Sequence, residues 1–312
     1  MSAPHILATG RALPRRVVTN EELSRQVDTS DEWVFSRTGI RSRHFCDGET
    51  GLDLAERAAR QAMERAGLTA EDIGVCLMAS FTPDLASPSG ACMLQRRLGL
   101  KEDTICFDLN AACAGFLYGM SAAHALLPTA QRPCALLVGC EVLSRIVDME
   151  DRNTCVLFGD GAGAAVFRRD EGAVWHTVFG SRGDPDSIRV PGLGAERPFI
   201  HMDGRAVFRF AVEVVEQSIR QLLAAEGCEI NDLDLVVCHQ ANARIIDHIA
   251  KKLKARESLF YKNMERYGNT SAASIPIALD ELAERGDLRP GMRVLTVGFG
   301  GGLTWAGALL KW

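Results

Sequence analysis

The chain has 312 residues, 47% of them hydrophobic, and a formal net charge of −5. That length supports one large domain or two fused ones around a sizeable core, the negative balance offers no bulk attraction to nucleic acid, and no apolar run reaches the roughly 18 residues needed to cross a bilayer. No charged-then-apolar leader opens the sequence, and ten cysteines are scattered through apolar runs such as VCLM, TICFDL and VVCHQ with no C-x-x-C pair. They read as reduced core residues of a cytoplasmic protein, not as disulfide or zinc partners.

Short apolar runs rich in Val, Leu and Cys alternate with amphipathic stretches, the pattern of strands and helices stacked in layers. In chain order the pattern predicts a helix near residues 52–66, a strand at 73–80, a helix near 88–98 and strands at 104–108 and 134–139. The stretch GDPDSIRVPGLGAERP at 183–198 interrupts the rhythm and reads as a surface excursion between two halves, residues 1–170 and 171–312. In each half a Cys-containing apolar strand runs straight into a helix, at ICFDLNAACAGFLYG and at LVVCHQANARIID, and ALLVGCE echoes VLTVGFG. Read as an internal duplication, this layout puts Cys113 and His239 in equivalent places.

Cys113 follows a buried strand and a small-residue turn and precedes a helix that is apolar nearly all round. A sulfur at a helix N-terminus has its thiolate favoured by the macrodipole and the free N–H groups, below the ordinary value of roughly 8.5. A buried cysteine is more often a packing residue, so position alone does not make it a nucleophile. His239 lies where the strand DLVVC meets the helix beginning near Asn242, at the strand ends where layered α/β proteins place ligands. Asn269 lies in RYGNTSAASIPIAL, where Gly268 permits a tight turn and Ser274 with Pro276 suits a helix start; an asparagine in such a turn commonly does no more than cap it. The cluster GFGGGLTW at 298–305 follows the strand RVLTVGF, and its adjacent glycines let backbone approach a ligand and present an N–H to an oxyanion. Neither it nor FGDGAGAAVF has the spacing of a phosphate-binding or dinucleotide-binding loop.

Taken together, DLNAACAGFLYG, HQANARII, ERYGNTSAASIPIAL and GFGGGLTW resemble β-ketoacyl-acyl-carrier-protein synthase III, with TSDEWVFSRTGIRSRH and FGDGAGAAVF extending the likeness over nearly the whole chain. The resemblance implies an α/β thiolase fold of five layers, α-β-α-β-α, in two pseudo-duplicated halves, and a homodimer. It implies a Cys-His-Asn triad at Cys113, His239 and Asn269, with the Gly301 N–H joining that of Cys113 around the oxyanion. The activity implied is loading of an acyl group from coenzyme A onto Cys113, then decarboxylative condensation with malonyl-acyl carrier protein, with no metal or redox cofactor. Trp33, Arg37 and Arg152 match positions that hold the adenine end of coenzyme A, and Asn242 one that contacts its pantetheine arm.

The acyl pocket behind Cys113 is assigned to Leu143, Phe158 and Phe299. In DLASPSGA, Ser87 stands where many short-chain members carry a bulky aromatic that reaches the partner subunit's acyl channel, so acyl groups longer than acetyl are expected. The helix ANARIIDHIAKKLKAR divides into an apolar face of Ile245, Ile246, Ile249 and Leu253 and a basic face of Arg244, His248, Lys251 and Lys252. That face, with Arg209 and Lys254, is the expected dock for acidic acyl carrier protein. Three rivals stay open: a specialised acyltransferase with another acceptor, a non-catalytic subunit, and a thiolase. The last needs a second catalytic cysteine near the C-terminus, where residues 229–312 hold only Cys238.

Overall fold

The computed structural model describes residues 2–312 apart from 172, 174 and 193. A first sheet comprises β1 (Ser2–Ala12), β2 (Ile73–Ala79), β3 (Ile105–Leu109), β4 (Cys134–Glu141) and β5 (Gly161–Glu171), in the spatial order β1-β5-β4-β2-β3. A second comprises β6 (His176–Ser181), β7 (Leu235–Cys238), β8 (Arg293–Gly300) and β9 (Thr304–Lys311), in the order β7-β8-β9-β6. Every residue of β2, β4 and β7 is buried. Their unbroken apolar runs follow from that, because strands covered on both faces have no polar side to alternate with.

Helices α1 (Gly51–Arg65) and α2 (Gly90–Leu98) cover the outer face of the first sheet. Helices α3 (Gly115–Leu126), α4 (Gly204–Glu226), α5 (Ala243–Lys252) and α6 (Ser274–Glu284) follow. α4 and α5 cover the outer face of the second sheet, and α3 and α6 lie between the sheets in one shared core. The five layers are therefore α-β-α-β-α. The expected elements fall within two or three residues of their observed ends. The α1 terminus has a sequence cause: Thr50 and Asp53 form a reciprocal capping box.

Connectivity repeats between the sheets, but not as the sequence layout suggested. β4 runs parallel to β2 and antiparallel to β5, as β8 does to β7 and β9. The second parallel neighbour of β2 is β3; that of β7 is a single bridge at Phe260. Hence β2 matches β7, and β3 matches the bridge. Cys113, in the turn between β3 and α3, corresponds to Ala272 in the turn before α6, and not to His239, which follows β7. Backbone angles agree: Ala112 and Ser271 take the left-handed conformation at φ 46° and 50°. The excursion at 183–198 is also corrected. It lies within the second sheet's part of the chain, after β6, and forms a small pairing of Ile188–Arg189 with His201–Met202; Leu193 lies outside the described residues.

Candidate active site

Pseudo-symmetry sets the site by bringing two strained turns against two glycine-bearing strands. A Cβ on Gly298 or Gly300 would meet Ala114 Cα at 3.1 Å or Cys113 N at 2.7 Å, and one on Gly139 would meet Ala272 O at 2.4 Å. Only glycine permits this approach. Gly300 to alanine is therefore expected to displace the Cys113 turn, lowering stability by about 1–3 kcal/mol. It should slow iodoacetamide alkylation of Cys113; a melting curve and an alkylation rate unchanged from the parent protein would refute it.

Cys113, His239 and Asn269 all line one cavity of about 850 Å³. Cys113 sits in a tight turn, Ala112–Ala114, that leads into α3. The placement at a helix start matches expectation, but the acidity does not. Burial pushes the Cys113 thiol up to about 12, the charge of Glu141 acts in the same direction, and contact with the Ser271 side chain opposes both. The resting group is a neutral thiol whose proton must leave as it attacks.

His239 is 2% exposed, and burial pushes its imidazole down to about 3, so it is neutral. Its Nδ1 lies 2.7 Å from Ser274 Oγ, which also accepts the Gln240 N–H at 3.3 Å. A serine hydroxyl donating to Nδ1 leaves the proton on Nε2, an assignment that rests on the network. Phe299 stands edge-on to the ring at a centroid distance of 5.2 Å. Asn269 is held by its backbone between Leu157 O and Gly159 N, and Gly268 makes the turn with φ 65°. Asn269 Oδ1 accepts the Ser271 N–H at 2.8 Å, so its amide Nδ2 is left to donate. The site thus offers a thiol and two neutral donors.

Of the expected acyl-pocket residues, Phe158 and Phe299 line the cavity. Leu143 does not: it is fully buried behind the wall, in a cluster with Phe158, Cys155 and Val156. Ser87 lies on an exposed loop away from this chain's cavity. A Cβ on Gly301 would lie 3.6 Å from Ala112 Cβ and Ile188 Cγ2, in ordinary contact, while Gly300 is the glycine pressed on Cys113. Arg37, Asn242, Arg209 and Arg244 line the cavity. The Asn242 side chain caps α5 through the Arg244 N–H and donates to Arg37 O at 3.1 Å. Trp33 stands beside Arg37 and Arg152, their guanidinium carbons 4.9 and 4.8 Å from its ring centroid. Arg152 also donates to Asp28 O at 2.7 Å.

On α5 the predicted division holds: Ile245, Ile246, Ile249 and Leu253 are buried, and Arg244, His248, Lys251 and Lys252 are exposed. Lys252, however, is paired with Glu216 at 2.5 Å, and Asp247 shares that exposed face. Lys254 is exposed beyond the end of the helix. Sequence reasoning missed Arg205, which joins Arg37, Arg209 and Arg244 in the cavity lining. Its signal was the i,i+4 spacing of Arg205 and Arg209 at the start of α4. It also missed the role of Ser274, which it read only as part of a helix start. Among the described residues no His/Cys/Asp/Glu group is arranged to hold a metal ion.

Residues 107–183 match the family 3-oxoacyl-[acyl-carrier-protein (ACP)] synthase III, and 223–312 match its C-terminal part. The chain is 44% identical to a β-ketoacyl-[acyl-carrier-protein] synthase III of Clostridium acetobutylicum, over 100% of this chain and 99% of that protein. The solved 3-oxoacyl-[acyl-carrier-protein] synthase III of Aquifex aeolicus superposes with a TM-score of 0.94 at 40% identity, covering 99% and 100% of the two chains. A priming β-ketosynthase of the R1128 polyketide pathway gives 0.93 at 35% identity, covering 99% and 96%.

Proposed function

The chain belongs to the 3-oxoacyl-[acyl-carrier-protein] synthase III family and is a condensing acyltransferase that initiates fatty acid synthesis, and from that premise we propose how its own residues carry the reaction. Cys113 attacks the thioester of an acyl-coenzyme A and becomes the acyl-enzyme. The N–H groups of Cys113 and Gly301 take the developing oxyanion, a contribution of about 3 kcal/mol per donor. Malonyl-acyl carrier protein then loses carbon dioxide. The enolate oxygen accepts from His239 Nε2–H and Asn269 Nδ2–H, and the carbanion attacks the Cys113 thioester. The observation that carries this reading is the meeting of a thiol and two neutral donors in one cavity. Neutral donors suit an enolate, which a carboxylate would repel. No metal or redox cofactor enters the scheme.

The halves 1–170 and 171–312 divide the work, the first holding the nucleophile and the second the His and Asn. Coenzyme A enters along Trp33, Arg37, Arg152 and Asn242, where an aromatic plane and cations fit its adenine and phosphates. Acyl carrier protein docks on Arg209, Arg244, Lys251, Lys252 and Lys254; the Lys252–Glu216 pair leaves Arg244 and Lys251 the stronger contributors. The assembly is a cytoplasmic homodimer. β3 supports the dimer: it is a sheet edge whose Phe107 is exposed and whose Ile105 and Leu109 are half-buried. Among the described residues no helix is long and apolar enough to cross a membrane.

Intact-mass measurement after incubation with a panel of acyl-coenzyme A thioesters, followed by malonyl-acyl carrier protein, tests the reading. A Cys113 adduct discharged as 3-ketoacyl carrier protein is expected. An adduct that only another acceptor discharges would point to a specialised acyltransferase, and no adduct at all would end the nucleophile assignment. In the same assay Ser87→Phe is expected to cut acylation by six-carbon and longer starters by at least about 10-fold relative to acetyl, a lost methylene-scale fit at several positions. An unchanged chain-length profile would remove Ser87 from the acyl channel.

A further inference from the structure

One buried acid beside the nucleophile has no part in the scheme above. Glu141 ends β4 and is wholly buried. Gly139 on β4 and Gly298 on β8 each meet the turn of the other half's kind, so Glu141 is the counterpart of Gly300. Likewise Ser271 is the counterpart of Ala112. The fold therefore does not demand a carboxylate or a hydroxyl at these places; the other half manages without either. The two side chains meet, with Ser271 Oγ 3.4 Å from Glu141 Oε1, and the turn that carries Ser271, Ser271–Ala273, packs directly against the Cys113 turn, Ala112–Ala114, where the Ser271 side chain favours the thiolate.

The two carboxylate oxygens differ. Oε2 accepts from Thr82 Oγ1 at 2.5 Å, Thr82 N at 3.2 Å and Ser80 Oγ at 3.3 Å, while Oε1 has only the long contacts from Phe81 N and Ser271 Oγ, both 3.4 Å. Oε1 has capacity for a proton. Separations of this length are common before a substrate tightens a site. The titratable groups facing Glu141 are the Cys113 and Cys140 thiols. Among the described residues no Lys, Arg or His hydrogen-bonds to it.

We propose that Ser271 and Glu141 form a proton relay that stores the Cys113 proton while the cysteine is acylated, an inference resting on the acyl-enzyme reading above. In the first half-reaction the Sγ–acyl bond forms and the acyl–coenzyme A bond breaks. The thiol proton passes to Ser271 Oγ as the Ser271 proton passes to Glu141 Oε1, and the coenzyme A thiolate takes a proton from solvent. In the second, the carbon–carbon bond forms, the Sγ–acyl bond breaks, and the stored proton returns through Ser271 to the sulfur. Glu141 ends each cycle as it began. It is neutral while the malonyl group is in the site, so it does not repel the enolate. Burial pushes its carboxyl up to about 8, close to working pH, as suits a group that must both take and return a proton.

Single-turnover acylation of the full-length protein, followed by quenched-flow intact mass between pH 6 and 10 with acetyl-coenzyme A, tests the relay. The wild-type rate is expected to rise through about pH 8. Glu141→Gln is expected to acylate on the order of 10- to 100-fold more slowly at pH 8 and to lose that rise. The sign is decisive, because a Glu141 acting only through its charge raises the thiol pKa, and its removal would speed acylation. A Glu141→Gln protein as fast as wild type, or faster, with the same pH profile overturns the relay. If that variant does not fold, Ser271→Ala leaves the contacts of Glu141 with residues 80–82 in place; a retained rise through pH 8 in it overturns the proposal equally. Failure of wild-type Cys113 to acylate at all would overturn the acyl-enzyme reading and the relay with it, a result distinct from either variant's.

Discussion

Cys113→Ala is expected to abolish the acyl-enzyme and to lower 3-ketoacyl product formation by about 10⁴-fold or more, the scale on which nucleophile deletions fall. The same variant should still release carbon dioxide from malonyl-acyl carrier protein, since His239 and Asn269 are held by contacts that do not involve the sulfur. His239 is fixed by Ser274 and its own N–H to Val297 O, and Asn269 by Leu157, Gly159 and Ser271. Loss of one buried sulfur in a turn costs only about 1 kcal/mol of packing, so the melting temperature should hold within a few degrees. Cys113→Ser should behave like the alanine variant, because a hydroxyl buried at that turn is far harder to ionise than a thiol already raised to about 12. Intact mass and carbon dioxide release, measured on one preparation, separate the two half-reactions. Condensation by Cys113→Ala above one hundredth of the parent rate would mean that another group carries the acyl chain.

Much of this site was legible because its chemistry lies in short contiguous peptides. YGN places Asn269 beside the Gly268 that makes its turn, and HQAN and GFGGG mark strand ends that line the cavity, although the Ser274 that holds His239 lies 35 residues away. What the sequence hid was nonlocal. ICFDL and LVVC look alike as Cys-bearing strands that run into helices, yet sheet order pairs β7 with β2 and leaves β3 matched by the bridge at Phe260. The acidity of Cys113 was misjudged for the same reason: a helix start is visible locally, whereas the burial that outweighs it comes from β8, β9 and the Ser271–Ala273 turn packed against it. Glu141 in ALLVGCE reads as an ordinary polar strand end, and only its enclosure by residues 80–82 and Ser271 makes it a site group. Leu143 was one layer too deep, since an apolar residue behind a pocket wall and one in it have the same sequence signature.

His239→Ala and Asn269→Ala are each expected to lower decarboxylation of malonyl-acyl carrier protein by about 10²–10³-fold, the cost of one donor to a developing oxyanion, while in His239→Ala Cys113 still takes up acetyl from coenzyme A within a few-fold of the parent rate. That split follows from the geometry. The His239 side chain hydrogen-bonds to none of Cys113, Ser271 and Glu141, and the first half-reaction has its own N–H donors; Asn269 Oδ1, in contrast, accepts the Ser271 N–H, so Asn269→Ala also loosens the turn that carries Ser271 and should slow acylation as well. The double variant should be little worse than the worse single one, because two donors converging on one oxygen act as a unit and their losses do not add. Asn269→Asp is the sharper probe. It keeps the oxygen that accepts the Ser271 N–H at 2.8 Å, so the turn survives, but it replaces the donor with an anion where the enolate must form. Decarboxylation should therefore fall below that of Asn269→Ala. An Asn269→Asp protein more active than Asn269→Ala would show that the amide serves the turn and not the enolate, and would leave His239 as the sole donor.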